Sequence, residues 1–345
     1  MSQLAPPISS IFPFGSVYTV PGSADAVLAS LCSEEEERLF ALSLLYYRGD
    51  WQGAANAARA MLQTSVSFEA RIFISHMLSL EALYMGDDQK WLLSRQLLAQ
   101  TQTTTERQRA QVEFYVAAMD SGIYVRSGFP SWFLEGRFDL LPVADYPFAR
   151  YMYAKLLYIE TAYDKLAAVV GTLISQSKAE HALLSELYLH IVAAMGFHSL
   201  GDEGRVETHI REALALALPD KLYAPLAENR RNLGTGLERQ LKDADPEGLK
   251  TVLSLTDVIL DGWTKLYNRL YGKKISNEMT PREYDVARLV FQGLTNKEIA
   301  DRLGISVNTV KLYLRVIFEK LGISRRDDLT PFIWEEASPP TQKAP

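Results

Sequence analysis

Cysteine is almost absent. Cys32 stands alone among 345 residues, which excludes a disulfide framework and a cysteine metal cluster within one copy of the chain. With no basic neighbour it reads as a packed small side chain, and its isolation suits a reducing, cytoplasmic setting. Long apolar runs are missing as well. No stretch of about eighteen apolar residues appears, so no membrane span is expected. The opening, MSQLAPPISSIFPF, lacks the basic flank and apolar core of a secretory leader. There is no GxxxxGK(S/T) loop, so an NTP-driven switch is not expected. Histidine is scarce, with His76, His181, His190, His198 and His209 making the whole set. His190 and His198 are spaced to share a helix face, but no HxxxH, HExxH or paired carboxylate accompanies them, and all five read as structural. No metal, no cofactor and no enzymatic activity is predicted.

Neither sign of charge dominates, yet the two parts of the chain differ. Residues 1–272 carry 24 Lys+Arg and 32 Asp+Glu, a net of −8, whereas residues 273–345 carry 12 and 10, a net of +2. An acidic body with a weakly basic tail is what a DNA-binding appendage gives. A chain of this length also predicts two or three domains rather than one core.

Residues 1–22 are rich in Pro, Ser and Gly and read as an extended lead-in. Its apolar Ile11, Phe12, Phe14 and Tyr18 make it a candidate internal ligand for the body that follows. From Ser33 to about Tyr271 the text is helical. Ser33 before four glutamates is a helix start, a hydroxyl cap followed by anions at the amide end. LFALSLLYY stops at Gly49-Asp50 and WQGAANAARAML begins. The same form returns around Gly86-Asp87 and Gly201-Asp202, with Gly49 and Gly86 separated by 37 residues. Glycine permits the tight reversal, and Ala54, Ala55 and Ala58 permit close helix packing. This text resembles degenerate tetratricopeptide repeats, and its third unit resembles the helical-repeat region of MalT-type regulators. An irregular all-helical domain is the alternative. Stacked helix pairs predict an open concave face that holds a peptide or small ligand. Residues 121–144 interrupt the rhythm with Tyr124, Phe129, Trp132, Phe133 and Phe138 among glycines and prolines. They either line a ligand pocket or plug a groove between helices. Residues 251–272 read as a long connecting helix. Its Leu253, Leu255, Val258, Ile259, Trp263, Leu266 and Leu270 suit either self-association or capping of the repeat stack.

Residues 279–329 carry the most specific text. Thr280-Pro281-Arg282-Glu283 and Thr295-Asn296-Lys297-Glu298 are capping boxes, Gly293, Gly304 and Gly322 close or turn helices, and Ser306 caps a third helix. A short helix, a glycine turn and a longer helix form a helix-turn-helix. On the third helix Val307, Val310, Leu314, Ile317, Phe318 and Leu321 follow core spacing. Asn308, Leu312, Arg315 and Glu319 point away, with Thr309 and Lys311 on the margins. Asparagine and arginine read base edges, leucine meets a thymine methyl, and Thr309 and Lys311 hold phosphates.

The combination TPRE, GLTNKEIADRLGIS and NTVKLYLRVIFEKLGI resembles the LuxR-type (NarL-type) helix-turn-helix family over about 50 residues. The resemblance implies that the third helix enters the major groove, with Lys311, Leu312 and Arg315 facing bases and Thr309 and Lys311 near phosphate. It also implies that Glu283, Ile299, Val310 and Leu321 are scaffold. The full candidate DNA-binding set is Thr295, Asn296, Lys297, Asn308, Thr309, Lys311, Leu312 and Arg315. One departure concerns the family's fourth helix, used for dimer contact. Pro331 either sits inside a helix begun at Ser324, at a cost of roughly 3 kcal/mol, or starts a new short one with Thr330 as cap.

The expected architecture is all-α: a tetratricopeptide-like superhelix followed by a four-helix LuxR-type domain. Its expected divisions are a lead-in and short helix over 1–32, a helical-repeat sensor or interaction domain over 33–250 and a linker helix over 251–274. A DNA-binding domain over 275–336 and a disordered tail over 337–345 complete it. The expected function is a sequence-specific transcriptional regulator whose repeat domain binds a ligand or protein partner. An interaction adaptor that contacts another regulator and binds DNA weakly or not at all is the alternative. Expected partners are double-stranded DNA, a second copy of the chain, a small molecule or peptide, and RNA polymerase.

Overall fold

The computed structural model describes residues 18–332 except 124–127, 161, 272–278, 280, 292, 304 and 322. The expectations placed on Ile11, Phe12, Phe14, Tyr124, Thr280, Gly304, Gly322, the Lys273-Lys274 pair and the tail 337–345 lie outside the described residues. Within the described residues the chain is all-α, with no strand.

The helices come in hairpins. After α1 (Ala24–Ser30), α2 (Glu34–Arg48) pairs with α3 (Trp51–Met61), and α4 (Phe68–Met85) with α5 (Asp88–Ala99). Next come α6 (Glu106–Gly122) and the short α7 (Ser131–Leu134). Three further pairs follow: α8 (Tyr146–Ile159) with α9 (Tyr163–Ala179), α10 (Leu183–Leu200) with α11 (Glu203–Ala217), and α12 (Ala224–Ala244) with α13 (Pro246–Tyr271). The recurrent Gly-Asp dipeptide has a physical role at three reversals. Gly49, Gly86 and Gly201 take φ of 93°, 67° and 77°, the left-handed closure of one helix. The aspartate beside each caps the next helix: Asp50 accepts from the Gly53 N–H at 2.8 Å, Asp87 from Lys90 at 3.0 Å and Asp202 from Arg205 at 3.1 Å.

The expected open concave face is not what forms. Hairpin packs on hairpin from α2 to α12, but α12 also reaches α2, and α13 lies along α4 and α5. The stack therefore closes on itself. The closest approach is at Gly262 of α13, where an added Cβ would stand 1.9 Å from the Tyr84 carbonyl oxygen of α4. The expected connecting helix at 251–272 begins earlier, at Pro246, because the Asp245 carboxylate accepts the Gly248 N–H at 2.9 Å and proline fits the first helical turn. Of its apolar stripe, Trp263 and Leu266 are buried within the single chain, Leu253, Leu255, Ile259 and Leu270 are half-buried, and Val258 is exposed. Capping of the stack is thus the role this helix has in one chain. α10 is long and apolar enough by composition to cross a membrane, yet 78% of it is buried inside the fold.

The described end of the lead-in is tied down elsewhere. Buried Tyr18 donates its hydroxyl to the Asp220 carboxylate, which also accepts the N–H of Gly22 and, at 3.1 Å, that of Ala24. Among the aromatics of 121–144, Phe133 is fully buried. It lies 4.7 Å from the Phe129 ring, 5.4 Å from Phe138 and 5.2 Å from Phe114. They plug a groove, and none of Phe129, Trp132, Phe133 and Phe138 lines the central cavity.

Candidate nucleic-acid interface and central cavity

The C-terminal region folds as α14 (Pro281–Phe291), α15 (Asn296–Leu303), α16 (Val307–Leu321) and a 3₁₀ helix, Arg326–Phe332. Its local structure follows the caps. The Thr295 N–H donates to Glu298 Oε2 at 2.7 Å and the Glu298 N–H donates to Thr295 Oγ1 at 3.3 Å, a complete capping box. The Thr295 N–H and the Thr295 hydroxyl, both donating to Oε2, hold Glu298 below the usual carboxylate range. Gly293 has φ of 84°, and the Thr309 N–H donates to Ser306 Oγ at 3.1 Å at the start of α16. Buried Tyr284, Val286, Leu289, Ile299, Leu303, Val310, Leu314, Ile317 and Leu329 form the core. Glu283, 5% exposed, receives Lys320 Nζ at 2.8 Å on both oxygens and fastens α16 to α14.

Two expectations need correction. Val307 is 38% exposed rather than core, at the first position of α16. Phe318 and Leu321, though half-buried, pack against this core. In place of a fourth α-helix, Pro331 lies within the 3₁₀ helix Arg326–Phe332 and does not start a new one. Proline has no N–H for an i→i−4 bond, so the chain there does not hold a long α-helix.

The candidate DNA contacts separate into two groups. Asn308, Lys311, Leu312 and Arg315 share one exposed face of α16, and Leu312 is 51% exposed. Lys297 is exposed on the first turn of α15. The others have structural work. Asn296 is half-buried, and its Oδ1 accepts Arg326 Nη1 at 2.7 Å. Thr295 serves the capping box, and Thr309 Oγ1 lies 2.8 Å from Ser306 Oγ. Arg326 also donates to the Leu294 carbonyl at 2.6 Å, a staple that sequence reasoning missed.

A second site lies inside the closed body. The inward faces of α2, α4, α6, α8, α10, α12 and α13 enclose a cavity of about 150 Å³. Its polar centre is Glu228 of α12, whose Oε1 accepts the Tyr46 hydroxyl at 2.6 Å and Oε2 the Tyr188 hydroxyl at 3.0 Å. Tyr84 joins through Tyr46, oxygen to oxygen at 2.9 Å. Burial pushes Glu228 up against the opposing effect of Tyr46 and Lys155, and pushes all three phenols up. Lys155 of α8 is also on the wall and is held down by burial. So is His76, 6% exposed, held down to about 3 by burial and then by the Lys155 charge. No motif marked these residues. The only trace was tyrosine just ahead of the Gly-Asp turn, at Tyr46 and Tyr84. Elsewhere His190 and His209 meet Nδ1 to Nδ1 at 2.9 Å, and His198 lies 3.4 Å from Glu203. Among the described residues no side-chain group is arranged to hold a metal ion.

Residues 277–333 match the family described as bacterial regulatory proteins, luxR family. The nitrate/nitrite response regulator protein NarL of Escherichia coli K12 is 32% identical over 108 residues, covering 28% of this chain and 49% of NarL. The two-component response regulator PprB of Pseudomonas aeruginosa is 29% identical over 135 residues, covering 37% of this chain and 47% of PprB. The chain thus spans about half the length of these relatives. No solved structure matches it. With the capped tri-helical core, the Glu283–Lys320 pair and the exposed face of α16 in place, the C-terminal part of the chain is a LuxR-family helix-turn-helix domain.

Proposed function

We propose that the protein is a DNA-binding transcriptional regulator in which α16 enters the major groove and the closed helical body takes a ligand or partner that alters DNA binding. One observation carries the reading: Asn308, Lys311, Leu312 and Arg315 present donors and a large apolar side chain on a single exposed face of a helix anchored from behind. Arg315 and Leu312 read base edges, Lys311 contacts phosphate or base, and Lys297 with the amide end of α15 holds the backbone. Asn296 and Thr309 position these elements rather than reading sequence. A single helix covers few bases, so two copies engage half-sites about one helical turn apart. Genome-wide mapping of bound sites, followed by titration of a mapped duplex against a scrambled one, tests the proposal. Preference for the mapped duplex by a hundredfold or more supports it.

The adaptor reading keeps one specific support, the net charge of only +2 over residues 273–345. Equal, weak binding to both duplexes favours it.

A further inference from the structure

The central cavity contains a mismatch between donors and acceptors. Glu228 is already supplied, since phenolic O–H groups reach both of its oxygens. Lys155 is not. Its ammonium has three donors, and among the described residues it makes no hydrogen bond and no ion pair within 4 Å. Nζ lies 5.7 Å from the centre of the Tyr151 ring, and its charge is felt by the Glu228 carboxyl and the His76 ring without a direct bond to either. Lys155 is half-buried in the cavity wall, so an acceptor that enters the cavity can reach its donors. His76 adds a second such group: its Nδ1 is fully buried without a partner, and its ring stands in the same wall. Tyr84, Tyr151, Met152 and Trp263 give the lining its aromatic and apolar part, beside polar Asn229, Arg231, Asn232 and Thr256. The volume, about 150 Å³, is that of an apolar cavity that holds one benzene ring.

We infer that this cavity is an effector site for a small single-ring aromatic carboxylate, its acid group on the Lys155 ammonium and its ring against Tyr151 and Trp263. The inference rests on the reading that the helical body takes a ligand. An acceptor-rich, anionic head completes Lys155, and the aromatic body replaces water against the apolar walls. Glu228, held among its tyrosines in the same lining, disfavours a second acid group.

The site also touches what a DNA response requires. Ile259, Leu260 and Trp263 of α13 line it, and so does Met279, two residues before α14 begins. Met279 is 3% exposed, and the Tyr267 and Tyr284 rings, 6.4 Å apart, join α13 to α14. A ligand that repacks α13 and Met279 therefore acts directly on the seat of the DNA-binding domain.

The test is calorimetric titration of the full-length protein with benzoate, benzamide and benzylamine, repeated on Lys155→Met. Benzoate is expected to bind at least tenfold more tightly than benzamide, with benzylamine weaker still. Lys155→Met is expected to abolish the preference for the acid while its unliganded melting temperature shifts little, because Lys155 makes no hydrogen bond or ion pair among the described residues. Preference for benzylamine, benzoate binding unchanged in Lys155→Met, or no binding of any probe would each overturn the inference. A parallel titration of a mapped DNA site separates the two claims. Sequence-specific DNA binding without benzoate binding sinks only the effector assignment, whereas benzoate binding without sequence preference on DNA sinks the regulator reading.

Discussion

Arg315 and Lys311 stand four residues apart on one helix face, yet their chemistry differs enough to be told apart. A guanidinium that bridges two acceptors on a base edge discriminates by about 1–3 kcal/mol, so Arg315→Ala is expected to lose roughly ten- to a hundredfold on the mapped duplex and little on a scrambled one. Lys311→Ala, if the ammonium meets phosphate, weakens both duplexes alike and lowers the slope of affinity against salt by about one. Fluorescence anisotropy on both duplexes at several salt concentrations separates these outcomes. A different residue governs stability. Asp145 is fully buried, its oxygens accepting Gln111 Nε2 at 2.7 Å and the Tyr115 hydroxyl at 3.1 Å. Burial outweighs these donors and raises its carboxyl from 3.8 to about 7. Between those values the folded chain holds a proton that the unfolded chain has released, so this group's contribution to stability falls as pH rises through that window. Asp145→Asn is expected to flatten the dependence, by at most a few kcal/mol, in denaturant midpoints taken from pH 4 to 7.5. At this scale the sequence was uneven. Capping residues such as Thr295 and Ser306 were legible because their role needs only three neighbouring positions. Glu228, Lys155 and Arg326 were not, because their partners lie on other helices and no local spacing announces them.

Elements were more legible than residues, and the reason is again local chemistry. Gly49, Gly86 and Gly201 mark reversals that each need a left-handed residue followed by an acidic cap, and both requirements are written in adjacent letters. The start of α13 was misplaced because Asp245-Pro246 was not weighed as a cap and first turn. The fourth helix of the DNA-binding domain turned on Pro331 alone, and the sequence showed where the α-helix fails without showing that 3₁₀ geometry takes its place. Which face of α13 meets what is a tertiary matter, decided at Gly262. Gly262→Ala places a methyl 1.9 Å from the Tyr84 carbonyl oxygen, a backbone atom that cannot swing aside. It is expected to cost about 3 kcal/mol or more as the two helices part. Gly171→Ala, at an exposed position of α9 with nothing within 4 Å of the new methyl, is expected to gain roughly 0.5–1 kcal/mol instead. Urea denaturation of both variants checks the contrast, and equal effects would mean that α13 does not press on α4.

At the scale of the whole molecule, helical hairpins were foreseen and their closure was not. The hydrophobic pattern of each helix records that a face is buried but not against which distant partner. The helical body therefore read as an open array. Closure also limits self-association, because Trp263 and Leu266, expected on a pairing surface, are consumed inside one chain. Arrays whose units touch only their neighbours unfold unit by unit from their ends. Here the ends are not independent: Tyr18 is bonded to Asp220, 202 residues away, and α13 rests on α4 and α5. Neither terminus of the body frays without releasing the other, which predicts one sharp transition for Trp51, Trp91, Trp132 and Trp263 fluorescence together with the helical circular-dichroism signal. Two separated transitions would count against it. Packing of α13 on α4 joins elements far apart in sequence, so refolding is expected on a milliseconds-to-seconds scale, slower than for bundles of local contacts, with the Asp220 clasp closing after the rate-limiting step. In kinetic terms the Asp220 clasp is a latch, and Tyr18→Phe should speed unfolding while leaving the refolding rate nearly unchanged.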